Sequence, residues 1–223
     1  MATFWALMAG AAVAAVCDWV AVGASRHRLE YGAKPAVLAA LVLAAAAIPA
    51  DQIELVHRRW WFVAALVCCL AGDVLLMLPR DWFIPGLAAF LLGHGLFIVG
   101  LLQAPAPSGN PPFSFSATGL AVAAAVVVSL VAWPGAVLIR SLSRAGQSAL
   151  LGPVCLYTAA IATMAVLAAN VGIVAAAVGA GLFLLSDTLL GLDRFVRPIR
   201  QGTLAVHVTY HLAQGLLVLS LLR

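Results

Sequence analysis

The chain has 223 residues, 65% of them hydrophobic and only 9% charged, with a mean hydropathy of +1.10. Soluble domains run near about 45–50% apolar and about 25% charged, so this composition excludes a soluble globular protein and indicates a polytopic membrane protein. The net charge of +4 and pI near 9.2 would suit a nucleic-acid binder, but the basic residues lie in short connections between apolar runs, where they report membrane orientation.

The first apolar run, 4–23, has no basic start, contains Asp18 and is followed by no clear small-residue cleavage site, so it reads as a retained span. Further runs follow at 34–50, 60–78, 83–102, 116–139, 149–169, 171–191 and 203–221. Each is close to the ~20 residues that cross ~30 Å of hydrocarbon. The second run opens with Lys34-Pro35 and ends at Pro49. The fifth carries Trp133-Pro134, which predicts a kink or an early end. The sixth and seventh meet in a tight turn at Asn170. Between the fourth and fifth, the stretch 103–114 is uncharged and rich in proline, and reads as an irregular connection. The expectation is one all-α integral-membrane domain over 1–223, a bundle of about eight transmembrane helices. Cys17, Cys68, Cys69 and Cys155 all fall in apolar segments and read as small hydrophobes rather than a disulfide framework.

Charge then orients the bundle. Arg26, Arg28, Lys34, Arg80, Arg140, Arg144, Arg194, Arg197 and Arg200 flank one side, and Arg58, Arg59 and Arg223 the other, nine against three. The positive-inside rule places the first set in the cytoplasm and both termini outside, and the expected location is a bacterial inner membrane. In that frame Asp73 lies ~8 Å from the inner end of its span, and Asp187 reaches the same depth on the seventh. A charge inside an apolar span costs roughly 2.5–3.5 kcal/mol on insertion scales, so two such acids point to a shared polar pocket. Helix–helix hydrogen bonding is the structural alternative. On the last span, Thr203, His207, Tyr210, His211 and Gln214 fall at offsets 0, 4, 7, 8 and 11, one helical face. His94 stands mid-depth in the fourth span, and Lys34 either enters the pocket or snorkels. Asp18 lies near the inner end of the first span. The spacing His207-x-x-x-His211 is also compatible with zinc, with the two aspartates completing a shell, though no Glu stands inside the pair as in metalloprotease motifs.

At these residues the sequence resembles the YhhN family of multispan membrane proteins, which includes the lysoplasmalogenases. The matching pieces are Lys34-Pro35, Gly72-Asp73 with Leu76, and Phe83, Gly86, Phe90 and His94. Pro153, Tyr157 and Met164 follow, then Phe183 with Ser186-Asp187, and Tyr210 with Gln214. The ordered set extends over almost the whole chain. Phe97 departs from it, standing where a tyrosine is frequent in the family. The resemblance implies cleavage of the vinyl-ether bond of a lysophospholipid, with Asp73 and Asp187 as the catalytic pair.

That chemistry needs a proton delivered to carbon, an oxocarbenium ion, addition of water and collapse of a hemiacetal. Two carboxyls in a poorly solvated pocket suit it, one as acid and one to stabilise the cation and guide water. Lys34, His94, Tyr157, Ser186, His207, Tyr210, His211 and Gln214 are the expected substrate-binding residues. The expected partners are a lysophospholipid and membrane lipids, without nucleic acid, cofactor or bound metal. A proton-coupled transporter and a noncatalytic lipid binder are the rivals. A transporter favours charges at the midplane and repeats with broken helices, whereas these acids are off-centre and no repeat is evident.

Overall fold

A computed structural model describes residues 1–49, 53–78, 82–104 and 128–222, with positions 117, 121, 124 and 125 between the last two. Arg80, Arg223, nearly all of the proline-rich connection and most of the first half of the expected fifth span lie outside the described residues. Among those described, the elements are all helical: α1 (Ala2–Gly23), α2 (His27–Ala46), α3 (Ile53–Met77), α4 (Phe83–Leu102), α5 (Trp133–Arg144), α6 (Leu151–Asn170), α7 (Val174–Phe195) and α8 (Gly202–Leu219). All but α5 belong to helical segments long and apolar enough to cross a membrane, seven among the described residues, and the protein is an integral membrane protein. A helix suits lipid because it pairs its own backbone groups where no water is available.

Seven helices form a closed ring in the order α1, α2, α3, α4, α6, α7, α8, with α8 returning to α1 and also touching α2. The twelve-residue α5 lies outside the ring against α6 and α7. Small residues permit a close approach of α3 and α4. A Cβ on Gly93 would lie 2.9 Å from Cys69 Sγ and 3.2 Å from the Ala65 carbonyl oxygen, so only glycine fits there.

Two helix starts differ from the hydropathy reading. α2 begins at His27 rather than at 34, and its first turns carry His27, Arg28, Glu30 and Tyr31. Polar residues at a membrane boundary extend a helix without extending its apolar run, so hydropathy truncates it. Pro35 then sits inside α2, where it has no N–H to offer the Tyr31 carbonyl.

α3 begins at Ile53 rather than at 60 and absorbs Arg58 and Arg59. Arg58 is buried, donates from Nη2 to the Ser220 carbonyl at 3.1 Å and stacks over Phe62. Arg59 donates to the Ile48 carbonyl. Each guanidinium thus meets a backbone carbonyl just beyond the end of a neighbouring helix, α8 and α2 respectively, where the helix dipole favours a cation.

The kink expected at Trp133-Pro134 takes the form of a π-helical turn, Val128–Ala132, feeding α5. Pro134 cannot bond the carbonyl four residues back, at Leu130. The Thr188 hydroxyl of α7 lies 3.1 Å from that carbonyl and 2.7 Å from the Leu184 carbonyl, so its one proton is shared between them. Ser141 of α5 donates to the Phe195 carbonyl at 2.5 Å, tying the other end of α5 to the end of α7. The turn at Asn170 is tight as expected, with Gly172 at φ 73° between α6 and α7.

Candidate active site

Asp73 follows Gly72 on α3, and a Cβ on that glycine would strike the Phe90 ring at 2.7 Å. Glycine therefore lets Phe90 lie flush on α3, and Phe90 in turn meets Tyr210 edge to face at 5.8 Å. The Tyr210 hydroxyl donates to Asp73 Oδ2 at 2.9 Å, and Lys34 Nζ of α2 lies 3.1 Å from Asp73 Oδ1. Both members of this ion pair are buried, at 7% exposure for Lys34 and 1% for Asp73. Lys34 does not snorkel.

Asp187, on α7, repeats the pattern with different partners. Tyr157 of α6 donates to Asp187 Oδ2 at 2.6 Å, and His94 Nε2 of α4 stands 3.6 Å from the same oxygen. The His94 ring is fully buried among Tyr157 and Phe183. Phe97, one turn further along α4, packs edge to face on Phe62 at 5.1 Å and adds no polar group.

Asp73 and Asp187 line one cavity of about 300 Å³ together with Lys34, Ser186, Thr203, His207 and Tyr210. Asp187 and Leu190 also line a second, narrow and mostly apolar cleft, walled by Leu87, Leu130, Val131, Leu138, Tyr157 and Leu184. Asp187 therefore stands in the wall common to a chamber rich in polar side chains and an apolar slot. The π turn contributes Leu130 and Val131 to that slot, which is what the bend in front of α5 accomplishes for the site.

Of the remaining expected residues, Ser186 and His207 line the chamber, and His211 and Gln214 stand behind it. Ser186 Oγ donates to the Val206 carbonyl at 3.2 Å and ties α7 to α8. His207 Nδ1 lies 2.7 Å from Asp18 Oδ2 of α1. His211 accepts the Trp19 indole N–H on Nδ1 at 3.1 Å, and Gln214 is buried further along the same face. The histidine pair thus meets Asp18, rather than being completed by Asp73 and Asp187, and among the described residues no metal-holding cluster of His, Cys, Asp and Glu is assembled.

Several cavity residues went unnoticed in the sequence. His27, Glu30 and Tyr31 belong to the two turns of α2 that hydropathy left out. Asp193, whose Oδ1 accepts the Ile199 N–H at 2.6 Å, shapes the α7–α8 turn beneath the cavity. Trp19, which donates to His211 from outside the cavity lining, carried no signal at all.

The YhhN family model matches residues 29–221. The chain belongs to the YhhN family. Among curated proteins, this YhhN chain is 37% identical over 168 residues to a protein of Mycobacterium bovis named lysoplasmalogenase, and equally to one of Mycobacterium tuberculosis. Each alignment covers 73% of this chain and 60% of the relative. It is 33% identical over 162 residues to human lysoplasmalogenase TMEM86B, covering 71% of this chain and 62% of that protein. The matches thus span less than two thirds of these relatives' own length. No solved structure matches. Asp18 and Trp19 lie before the segment that the family model covers.

Proposed function

We propose that this protein is a membrane-embedded hydrolase that cleaves the vinyl-ether bond of lysoplasmalogen-type lysophospholipids to a fatty aldehyde and a glycerophospho-base. The observation that carries this reading is the place of Asp187, in the wall common to a chamber rich in polar side chains and an apolar slot. In such a lipid the vinyl ether is the junction between the chain and the glycerol. With the chain in the slot and the headgroup in the chamber, that bond falls beside Asp187. The names of the curated relatives agree with the same substrate class.

The neighbours divide the roles of the two acids. Asp73 faces the Lys34 ammonium at 3.1 Å and is the carboxylate of the pair. Asp187 faces a tyrosine and an imidazole, neither with a fixed charge, and Tyr157 occupies its Oδ2. Its other oxygen holds the proton that passes to the vinyl carbon. The oxocarbenium ion then forms between two carboxylates, which stabilise it electrostatically, and water adds. Lys34 and His27 serve the phosphate end. We take the chain as one integral-membrane unit in a bacterial inner membrane, with both termini outside and the cavity toward the cytoplasmic leaflet. The test is release of aldehyde from lysoplasmalogen by the purified protein in lipid nanodiscs. Binding without release supports the lipid-binder reading and overturns the hydrolase.

A further inference from the structure

The proposed chemistry leaves one built feature unused. Asp18 is fully buried on α1, a helix otherwise apolar around it, and its Oδ2 lies 2.7 Å from His207 Nδ1. It has no second hydrogen-bond partner among the described residues. Its Oδ1 is unpaired, and His211 Nδ1, 3.8 Å from Oδ2, is already taken by the Trp19 indole. A carboxylate so placed carries the full desolvation burden for a single contact. His207, by contrast, lines the cavity that holds Asp73 and Asp187. With Nδ1 directed at Asp18, the ring's remaining polar atom is Nε2, and it is not among the buried unpaired atoms. Asp18 on α1 and His211 on its own helix contact the ring, and the titratable or polar groups that share its cavity are His27, Glu30 and Lys34 on α2, Asp73 on α3, Ser186, Asp187 and Asp193 on α7, and Tyr210 on α8.

We propose that Asp18 is a positioning residue that holds the proton of His207 on Nδ1, so that His207 Nε2 is the base for the attacking water. The inference rests on the hydrolase reading above. A carboxylate that accepts from Nδ1–H fixes both the tautomer and the orientation of an imidazole and stabilises its protonated form.

The proton balance closes with this pair. Asp187 gives its proton to the vinyl carbon, and the π electrons leave a cationic carbon–oxygen bond. The water oxygen bonds to that carbon while one water proton passes to His207 Nε2. The neutral hemiacetal returns its hydroxyl proton to the Asp187 carboxylate as the bond to the glycerol oxygen breaks. That oxygen takes its proton back from His207. Both groups end as they began, and the net change is addition of one water. α1 thus completes the site from outside residues 29–221, the part of this chain that the family model matches.

The test pairs spectroscopy with kinetics. In nanodiscs with ¹⁵N-labelled histidine, and His207→Gln to assign the signal, His207 is expected neutral with its proton on Nδ1. Asp18→Ala is expected to move that proton to Nε2. With lysoplasmalogen, Asp18→Asn is expected to lower kcat at least about tenfold with KM within about twofold, and to have no further effect in the His207→Gln background. Asp18→Glu, which keeps the carboxylate, is expected to turn over faster than Asp18→Asn, and provides the second variant if Asp18→Ala does not fold. An unchanged His207 spectrum in Asp18→Ala, or a change in KM with kcat intact, overturns the proposal. So do additive effects of the two substitutions. If the wild-type chain releases no aldehyde, the substrate reading has failed, and the ring spectrum alone decides whether Asp18 positions His207.

Discussion

Replacing Lys34 by Met strands Asp73 in a buried site, and the structure sets the size of the effect. At 3.1 Å and an effective dielectric near 20, the lost attraction is about 5 kcal/mol. The folded variant has a second option, which is to protonate the stranded carboxyl. From an ordinary aspartate pKa near 3.9 and about 1.36 kcal/mol per unit, that costs about 4 kcal/mol at pH 7, and the smaller figure sets the ceiling. Folding then takes up a proton that the unfolded chain lacks above about pH 4, so the penalty shrinks as the pH falls, to about 1.5 kcal/mol at pH 5. The assay is thermal unfolding in detergent micelles at both pH values for wild type, Lys34→Met, Asp73→Asn and the double variant. Lys34→Met is expected to be strongly destabilised at pH 7 and weakly at pH 5. Removing the stranded charge in the double variant is expected to restore much of the loss. A penalty independent of pH, or fully additive effects, would refute the buried pair.

Tyr157→Phe removes the hydroxyl at 2.6 Å from Asp187 and is expected to reduce kcat with little change in melting temperature. Gly72→Ala forces the Phe90 ring away and is expected to lower stability by about 1–3 kcal/mol, with a loss of turnover through the displaced Tyr210, as read by melting and aldehyde release. Gly191→Leu fills the apolar slot and is expected to raise KM for long-chain more than for short-chain lysoplasmalogens. Reporter fusions after Arg223 and in the 194–200 connection are expected on opposite sides of the membrane.

The helices that cross lipid were legible because an apolar run of fixed length is itself the physical requirement. The run at 83–102 coincides with α4. Asp73 and Asp187 stood out because an acid is costly in such a run. The face of α8 was legible from its spacing alone, and His207, Tyr210, His211 and Gln214 are all buried in the bundle. The pairings were not legible. Lys34 with Asp73 and Asp18 with His207 join residues far apart in sequence, and nothing local distinguishes a cation that enters a pocket from one that snorkels. The starts of α2 and α3 were hidden because hydropathy sees the slab and not the helix. Trp133-Pro134 announced the bend, but only the Leu130 carbonyl and Thr188 show how the chain accommodates it.

The central claim is that Asp73 and Asp187 act together on the substrate, and the most direct measurement is aldehyde release by Asp187→Asn, Asp73→Asn and the double variant. Asparagine keeps the size and the hydrogen-bonding capacity of each side chain but neither carries the charge nor delivers the proton. Each single variant is expected to stay folded in the membrane and to lose about 10²–10⁴-fold in turnover, with the double variant little worse than either. Near-normal aldehyde release by either folded single variant would contradict the account.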